Sequence, residues 1–333
     1  MIKTSSLCAS LLIIAGLTAC KPAANDGARQ SVSPPAAAME NQISISATHA
    51  FGTASPVKTI AFSPNDVASW LGAIGLLTDD GVFLTTNIEG KKFNSHGDGF
   101  TGLAGLDRPG LAALFIALDR QGRLRPFVES DNVGGFKPAP ISSSAPPLAH
   151  LCGVSEAQIL TAITKAGQII SFGVSGGGAI ALTSKGAPHE ADGEITDCAT
   201  DKNGETYRLE TQAEQLYVRN SVGNETAIAS AALAHQARLT LIAREGETAP
   251  ILAITGLDAE MSLYDGQSLE PIVGVDIISG LSISGLTQPD AIAATDAGFG
   301  GSGFNEGIIV LSERGEGRIV VLARSYLLDQ VTP

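Results

Sequence analysis

The sequence predicts an all-β fold, a six-bladed β-propeller, because one hairpin pattern recurs six times along the chain. The clearest copy is Leu111 to Ser130, in which an apolar run, a polar turn ending in glycine and a second strand follow one another. The turn glycines recur every 37 to 52 residues, at Gly81, Gly122, Gly167, Gly204, Gly246 and Gly298. Such a period with several strands per repeat is typical of propellers, whereas helical solenoids would show 3.6-residue amphipathic stretches that this sequence lacks.

A seam is also expected, since propellers close their ring by letting an N-terminal strand complete the last blade. The early strand-like segment Pro56 to Phe62, PVKTIAF, is the predicted closing strand. Its predicted partner is the C-terminal run Gly317 to Leu322, GRIVVL.

Composition sets limits on size and partners. The chain has 333 residues, 44% of them hydrophobic, and 38 glycines, which suits one large domain with many turns. Its formal net charge is −13, and the lysines and arginines are scattered. Nucleic acid is therefore excluded as a predicted partner, because a phosphate backbone requires a clustered basic surface.

The N-terminus resembles a bacterial lipoprotein signal. Lys3 precedes an apolar run from Leu7 to Leu17, and the box Leu17-Thr18-Ala19-Cys20 follows. The resemblance implies cleavage before Cys20 and lipidation of that cysteine. The alternative is an ordinary secretory signal with an incidental cysteine. Lys21, where an aspartate would favour inner-membrane retention, indicates the outer membrane.

These features predict three segments. Residues 1–19 are a signal peptide, residues 20–50 a lipidated and flexible tether rich in Ala, Pro and Ser, and residues 51–333 the propeller. The predicted location is the cell envelope, with the protein lipid-anchored on the periplasmic side of the outer membrane. The membrane is thus a predicted partner through the N-terminal lipid.

Two cysteines remain once Cys8 leaves with the signal peptide and Cys20 carries lipid. In an oxidising compartment Cys152 and Cys198 are predicted to form a disulfide. The alternative is a pair of buried free thiols.

A ligand site is predicted at one end of the central channel. If each turn follows the first strand of its blade, all six turns converge on one rim. The resulting ring would mix acidic and basic side chains: Asp79, Asp80, Asp119, Arg120, Lys165, Asp201, Lys202, Arg244, Glu245 and Asp296. Calcium, a phosphorylated ligand or a peptide are its candidate occupants, with no cofactor predicted for certain. The alternative is that each aspartate serves only its own turn's backbone amides.

Two stretches resemble the β-propeller phytases. Gly75 to Gly122 is similar to the early blades of that family, and Asp265 to Leu286 with the following PDAIAATDAGFGGSGFNEGIIVLSERG is similar to its last blades. The resemblance covers about a third of the chain. It implies a six-bladed propeller that binds several calcium ions and hydrolyses phosphate esters with metal-held water.

The departures from that family lie where its chemistry would be. Asp79-Asp80-Gly81 replaces a lysine-bearing turn, Ser279-Gly280-Leu281 replaces Glu-Gly-Leu, and Phe100 to Leu103 replaces Asn-Asn-Val-Asp. The family's Asp-Asp-Pro-Ala-Ile-Trp signature is also absent, with only Ser63 to Asp66 and Trp70 nearby. A metal-water mechanism requires these carboxylates and cations.

The sequence therefore favours an envelope lipoprotein whose propeller is a non-catalytic binding or assembly module. An envelope protein or a small phosphorylated ligand is its predicted partner. A divergent calcium-dependent phosphomonoesterase, and a structural role in envelope assembly, are the alternatives.

Overall fold

A computed structural model describes residues 41–64, 72–86, 93–107, 112–130, 135–154, 158–299 and 303–331. These residues form an all-β structure of six blades, as the recurring hairpins predict. The innermost strands of consecutive blades pack against one another around a central axis. The predicted signal peptide and Cys20 lie outside the described residues.

The blades are built from consecutive antiparallel strands. In chain order the elements are β1 (Gln42–Ser46), β2 (His49–Gly52), then blade 1 with β3 (Val57–Ser63), β4 (Ala73–Thr78), β5 (Gly81–Thr85) and β6 (Asn94–His96). Blade 2 has β7 (Phe100–Leu106), β8 (Leu114–Asp119), β9 (Leu124–Ser130) and β10 (Gly135–Pro138). Blade 3 has β11 (Ile141–Ser142), β12 (Leu148–Leu151), β14 (Ile159–Thr164), β15 (Gln168–Ser175), β16 (Ile180–Ser184) and β17 (His189–Glu190), with β13 (Gly153–Val154) crossing to blade 4.

The second half of the chain is more regular. Blade 4 has β18 (Glu194–Thr200), β19 (Thr206–Gln212), β20 (Gln215–Asn220) and β21 (Glu225–Ser230), followed by a 3₁₀ turn (Ala231–Leu233). Blade 5 has β22 (Arg238–Ile242), β23 (Ile251–Thr255), β24 (Met261–Asp265) and β25 (Pro271–Ile278). Blade 6 has β26 (Pro289–Thr295), β27 (Ile308–Glu313) and β28 (Arg318–Ala323), and helix α1 (Arg324–Val331) ends the described chain.

The N-terminal strands complete two blades. Strand β2 pairs antiparallel with β28, Ala50 opposite Val320, and so closes the ring. Strand β1 adds to β25 in parallel, Ile43 opposite Val275. Closure by an N-terminal strand is thus confirmed, but the predicted strand is wrong, because Val57–Ser63 is the innermost strand of blade 1. Residues 42–50, predicted as tether, are mostly strand and belong to the propeller.

The core lies between neighbouring blades, which explains why the strands read as continuous apolar runs. In β8 every residue is buried. Phe115 and Ala117 pack towards blade 1, while Leu114, Ile116 and Leu118 pack towards blade 3. A strand sandwiched on both faces has no solvent side, so the alternation expected of a half-exposed sheet disappears.

The predicted disulfide between Cys152 and Cys198 is confirmed. The two sulfurs are bonded, the Cα atoms lie 4.6 Å apart, and both side chains are buried. The bridge joins the chain just after β12 of blade 3 to β18 of blade 4. The alternative of two free thiols is therefore wrong.

The central channel is almost closed. Apolar residues of the innermost strands, among them Phe62, Leu239 and Ile292, leave a cavity of only about 30 Å³. Only glycine fits at position 105, since a Cβ there would lie 1.9 Å from the carbonyl oxygen of Phe62. Among the described residues, no helix has the length and apolar character needed to cross a bilayer.

Candidate functional site

The six predicted turns divide between the two faces of the propeller. We call the face where the innermost strands begin the entry face, and the face where they end the exit face. The turns at Asp79, Asp119 and Lys165 join second to third strands, in blades 1 to 3. The turns at Asp201 and Arg244, with the segment at Asp296, join first to second strands, in blades 4 to 6. Because adjacent strands are antiparallel, the first group lies on the entry face and the second on the exit face.

The prediction of one ring is therefore wrong. The turn glycines mark a hairpin in every blade, but the hairpin is the second one in blades 1 to 3 and the first one in blades 4 to 6. The 37-residue step from Gly167 to Gly204, the shortest of the series, is where the position changes. Whether any residue of the two groups binds a ligand stays a prediction.

Two of the predicted aspartates hold their own turns together. Asp119 accepts hydrogen bonds from the Gln121 and Arg123 backbone N–H groups, at 3.0 and 2.9 Å, and from the Arg123 and Arg125 side chains. Burial raises the pKa of Asp119, but the bonds from Arg123, its charge and the bond from Arg125 outweigh burial, so the pKa lies below the usual value. Asp201 accepts N–H groups of Asn203 and Glu205 in the same way.

The other entry-face aspartates also have partners. Asp79 forms an ion pair with Lys58 at the start of β3, and Asp80 accepts a hydrogen bond from Ser55. Arg120 and Lys165 are on the same face, where the Lys165 N–H donates to the Pro147 carbonyl beside the start of β12. These partners neutralise or satisfy the carboxylates without a bound ion.

On the exit face a buried arginine, Arg324, lies near the acidic side chains. Arg324, 8% exposed, donates to the carbonyls of Ala243 and Glu306 at 2.5 and 2.7 Å. Burial lowers the pKa of Arg324, and the negative charges of Asp296, Glu306 and Glu245 act in the opposite direction. Arg244 pairs with Asp265 at 3.0 Å, and Lys202 lies beside this turn in a shallow depression.

The entry mouth of the channel is lined by polar and charged side chains that the sequence analysis did not identify. We use this name for the depression lined by Lys58, His150, Asp197 and Arg238 above an apolar floor that includes Leu103 and Ile292. Its volume is about 60 Å³. His150 belongs to β12.

Asp197 connects three blades at this mouth. Its Oδ1 lies 3.2 Å from His150 Nε2 of blade 3, and its Oδ2 accepts the Leu239 N–H of blade 5 at 2.8 Å. A bulge in β18 between Ile195 and Asp197 places the carboxylate there. Arg238 donates to the carbonyls of His235 and Ala237, so its side chain is held across the same rim. Asp197 and Arg238 thus fix the geometry of the mouth, and His150 and Lys58 beside them are more exposed to solvent than Asp197.

A calcium cluster of the kind implied by the phytase resemblance does not fit these residues. Calcium takes six to eight oxygen ligands, usually with several carboxylates. In the described ranges no group of three or more His, Cys, Asp or Glu side chains is arranged to hold a metal ion. Asp79, Asp119 and Asp201 instead face cations or backbone amides.

The sequence was compared with protein-family models and with curated proteins. No protein-family model matches the chain, and no curated protein is significantly similar to it. The described residues form a six-bladed β-propeller in which a disulfide joins blades 3 and 4.

Proposed function

We propose that this chain is a lipid-anchored envelope protein whose propeller binds a partner protein on the entry face and catalyses no reaction. The observation that carries the proposal is the combination of a closed channel and a shallow, charged mouth. A depression of about 60 Å³ holds a side chain or a few waters, far less than the roughly 300–1,000 Å³ of a typical small-molecule site. A protein surface is the occupant that such a face suits.

The charges around the mouth support a binding role over a catalytic one. Asp197 bridges blades 3, 4 and 5, Asp79 neutralises Lys58, and Asp119 stabilises its own turn. Arg120 and Lys165 have no ion pair within the described residues and stand on the same face. They supply positive charge for an acidic partner surface, which would steer association and set specificity.

The lipid anchor is part of the proposal because of the Leu17-Thr18-Ala19-Cys20 box. The segment between Cys20 and β1 would give the propeller reach from the outer membrane into the periplasm. A tethered binding module needs no cofactor.

The test is site-specific photocrosslinking in the native host. A photoreactive residue at Arg120 should capture a specific envelope protein, and the same residue at Lys202 on the exit face is the matched control. Charge reversal by Arg120→Glu with Lys165→Glu should abolish the adduct formed from a third entry-face position, Asp80. Adducts that are equal on both faces would contradict the proposal.

The phosphohydrolase alternative is decided in parallel. Purified protein is assayed for phosphate release from p-nitrophenyl phosphate with and without calcium. Calcium-dependent turnover that is lost on Asp79→Asn with Asp80→Asn would replace the binding proposal with the enzymatic one.

A further inference from the structure

One of the six blade interfaces is built differently from the rest. Among the described residues, five interfaces are filled by apolar clusters of 11 to 18 buried side chains. The interface between blades 3 and 4 has only Cys152, Ile163 and Cys198, with Ile195 packed beside them. The disulfide thus joins the two blades where hydrophobic packing is least.

Outside the disulfide the two blades stand apart and leave a cleft, which we call the inter-blade cleft. Its volume is about 870 Å³, within the range of small-molecule sites. Strand alternation explains which residues of blade 3 line it. In β15 the even-numbered residues Ile170 and Phe172 pack towards blade 2, so Ile169, Ser171 and Gly173 line the cleft.

Arg208 is the charged residue that blade 4 contributes to the described lining of the cleft, and it belongs to a cluster of charged side chains on the same blade. Arg208 and Arg219 lie directly opposite each other on β19 and β20, an arrangement that like charges disfavour. The fully buried Glu210 compensates in part, since its Oε2 lies 2.9 Å from Arg208 Nε and 3.8 Å from Arg219 Nε. Asp192 and Glu225 pair with Arg219.

Arg208 therefore has unused donors. Arg208 lines the cleft, and its Nε–H donates a hydrogen bond to Glu210. Within the described part of the chain its side chain forms no other hydrogen bond. Its terminal nitrogens, which form the planar fork that suits carboxylates and phosphates, are available to a ligand.

The wall from blade 3 adds a second cation. Lys185 lines the cleft, is exposed, and has no ion pair among the described residues. Its side chain lies over Gly173, where a Cβ would be 2.7 Å from Lys185 Cε. Ser171, Thr183 and Thr206 also line the cleft, and Glu190 is the carboxylate of the described lining.

We propose that the inter-blade cleft binds a small, hydroxyl-bearing molecule with one acidic oxygen group, such as a sugar phosphate or a sugar acid. Arg208 and Lys185 bind the anionic group from opposite walls, and the serine and threonine hydroxyls bind the ligand's own hydroxyls. The site is separate from the entry mouth and does not depend on the partner proposed there.

The test uses the full-length protein purified in detergent and isothermal titration calorimetry with four probes: glucose 6-phosphate, glucuronate, glucose and inorganic phosphate. At least one of the two anionic sugars should bind, and glucose should bind at least tenfold more weakly. If glucose 6-phosphate binds and glucuronate does not, the cleft is a phosphate site; if only glucuronate binds, it is a carboxylate site.

Variants place the binding in the cleft. Lys185→Gln should weaken binding at least tenfold, and the matched control Lys137→Gln, an exposed lysine on blade 2, should leave it unchanged. Gly173→Leu fills the cleft and should abolish binding. Its control is Gly177→Leu, because a Cβ at Gly177 meets nothing within 4 Å.

Three results would overturn the proposal. One is the failure of both anionic sugars to bind at millimolar concentration, and another is equally tight binding of glucose. The third is binding of inorganic phosphate as tight as that of glucose 6-phosphate that survives Gly173→Leu, which would reveal an adventitious ion only.

Discussion

Removal of the Cys152–Cys198 bridge is expected to destabilise this propeller more than the loss of two small side chains would. The bridge closes a loop with a sequence separation of 46. In the chain-entropy model a loop of that length is worth about 4 kcal/mol. For a domain that spans residues 41–331, the unfolding entropy is about 0.6 kcal/mol/K, so the melting temperature should fall by about 7 °C.

The assay compares oxidised wild type, reduced wild type and Cys152→Ala with Cys198→Ala by thermal melting and hydrogen exchange. Reduction leaves both thiols in place and so separates the crosslink from packing. Exchange should rise first in β14, β15, β18 and β19, because the interface between blades 3 and 4 has the smallest apolar cluster of the described residues. A melting temperature that reduction leaves within 1 °C, or protection lost uniformly in all blades, would refute this reasoning.

Three further predictions follow from single residues. Cys20→Ala should release the protein from membranes, and its retention after a carbonate wash would mean that another anchor exists. Asp119→Asn should lower the free energy of unfolding by about 1–3 kcal/mol at pH 7, since it weakens charge-assisted bonds to its own turn. The folded-state pKa of Asp119 is lowered, so the stability that its carboxylate contributes is complete above the ordinary pKa of 3.8 and is lost as pH falls through the folded-state pKa. Denaturant melts should therefore show the stability advantage of the wild type shrinking below about pH 4. Calcium at millimolar concentration should not raise the wild-type melting temperature, because Asp79 and Asp80 already have protein partners; a rise of several degrees that Asp79→Asn with Asp80→Asn removes would refute this.

The repeat and the disulfide were predictable from the sequence because both depend on local signals. An apolar run, a turn and a glycine specify a hairpin, and six hairpins at a near-constant period specify six blades. Once Cys8 and Cys20 are assigned to the predicted signal, the two remaining cysteines have few other partners in the oxidising compartment that the signal predicts. The same reasoning anticipated an N-terminal closing strand, but placed it at Pro56 to Phe62, whereas the strand that closes the ring is His49–Gly52.

The position of a hairpin within its blade was not predictable in this way. The first and second hairpins of a four-stranded blade have the same local pattern, and only the pairing of all four strands shows whether a turn lies on the entry or exit face. Asp79 and Asp201 were therefore assigned to one rim although they lie on opposite faces.

Tertiary structure alone also decided the two candidate sites. His150 and Asp197 are 47 residues apart, and they meet because innermost strands of neighbouring blades pack together. Arg208 on β19 and Lys185, just after β16, line one cleft because blades 3 and 4 share only a small apolar cluster, where the other interfaces of the described residues have large ones. Local sequence specifies which residues share a face of a strand, but which blade that face meets depends on long-range packing.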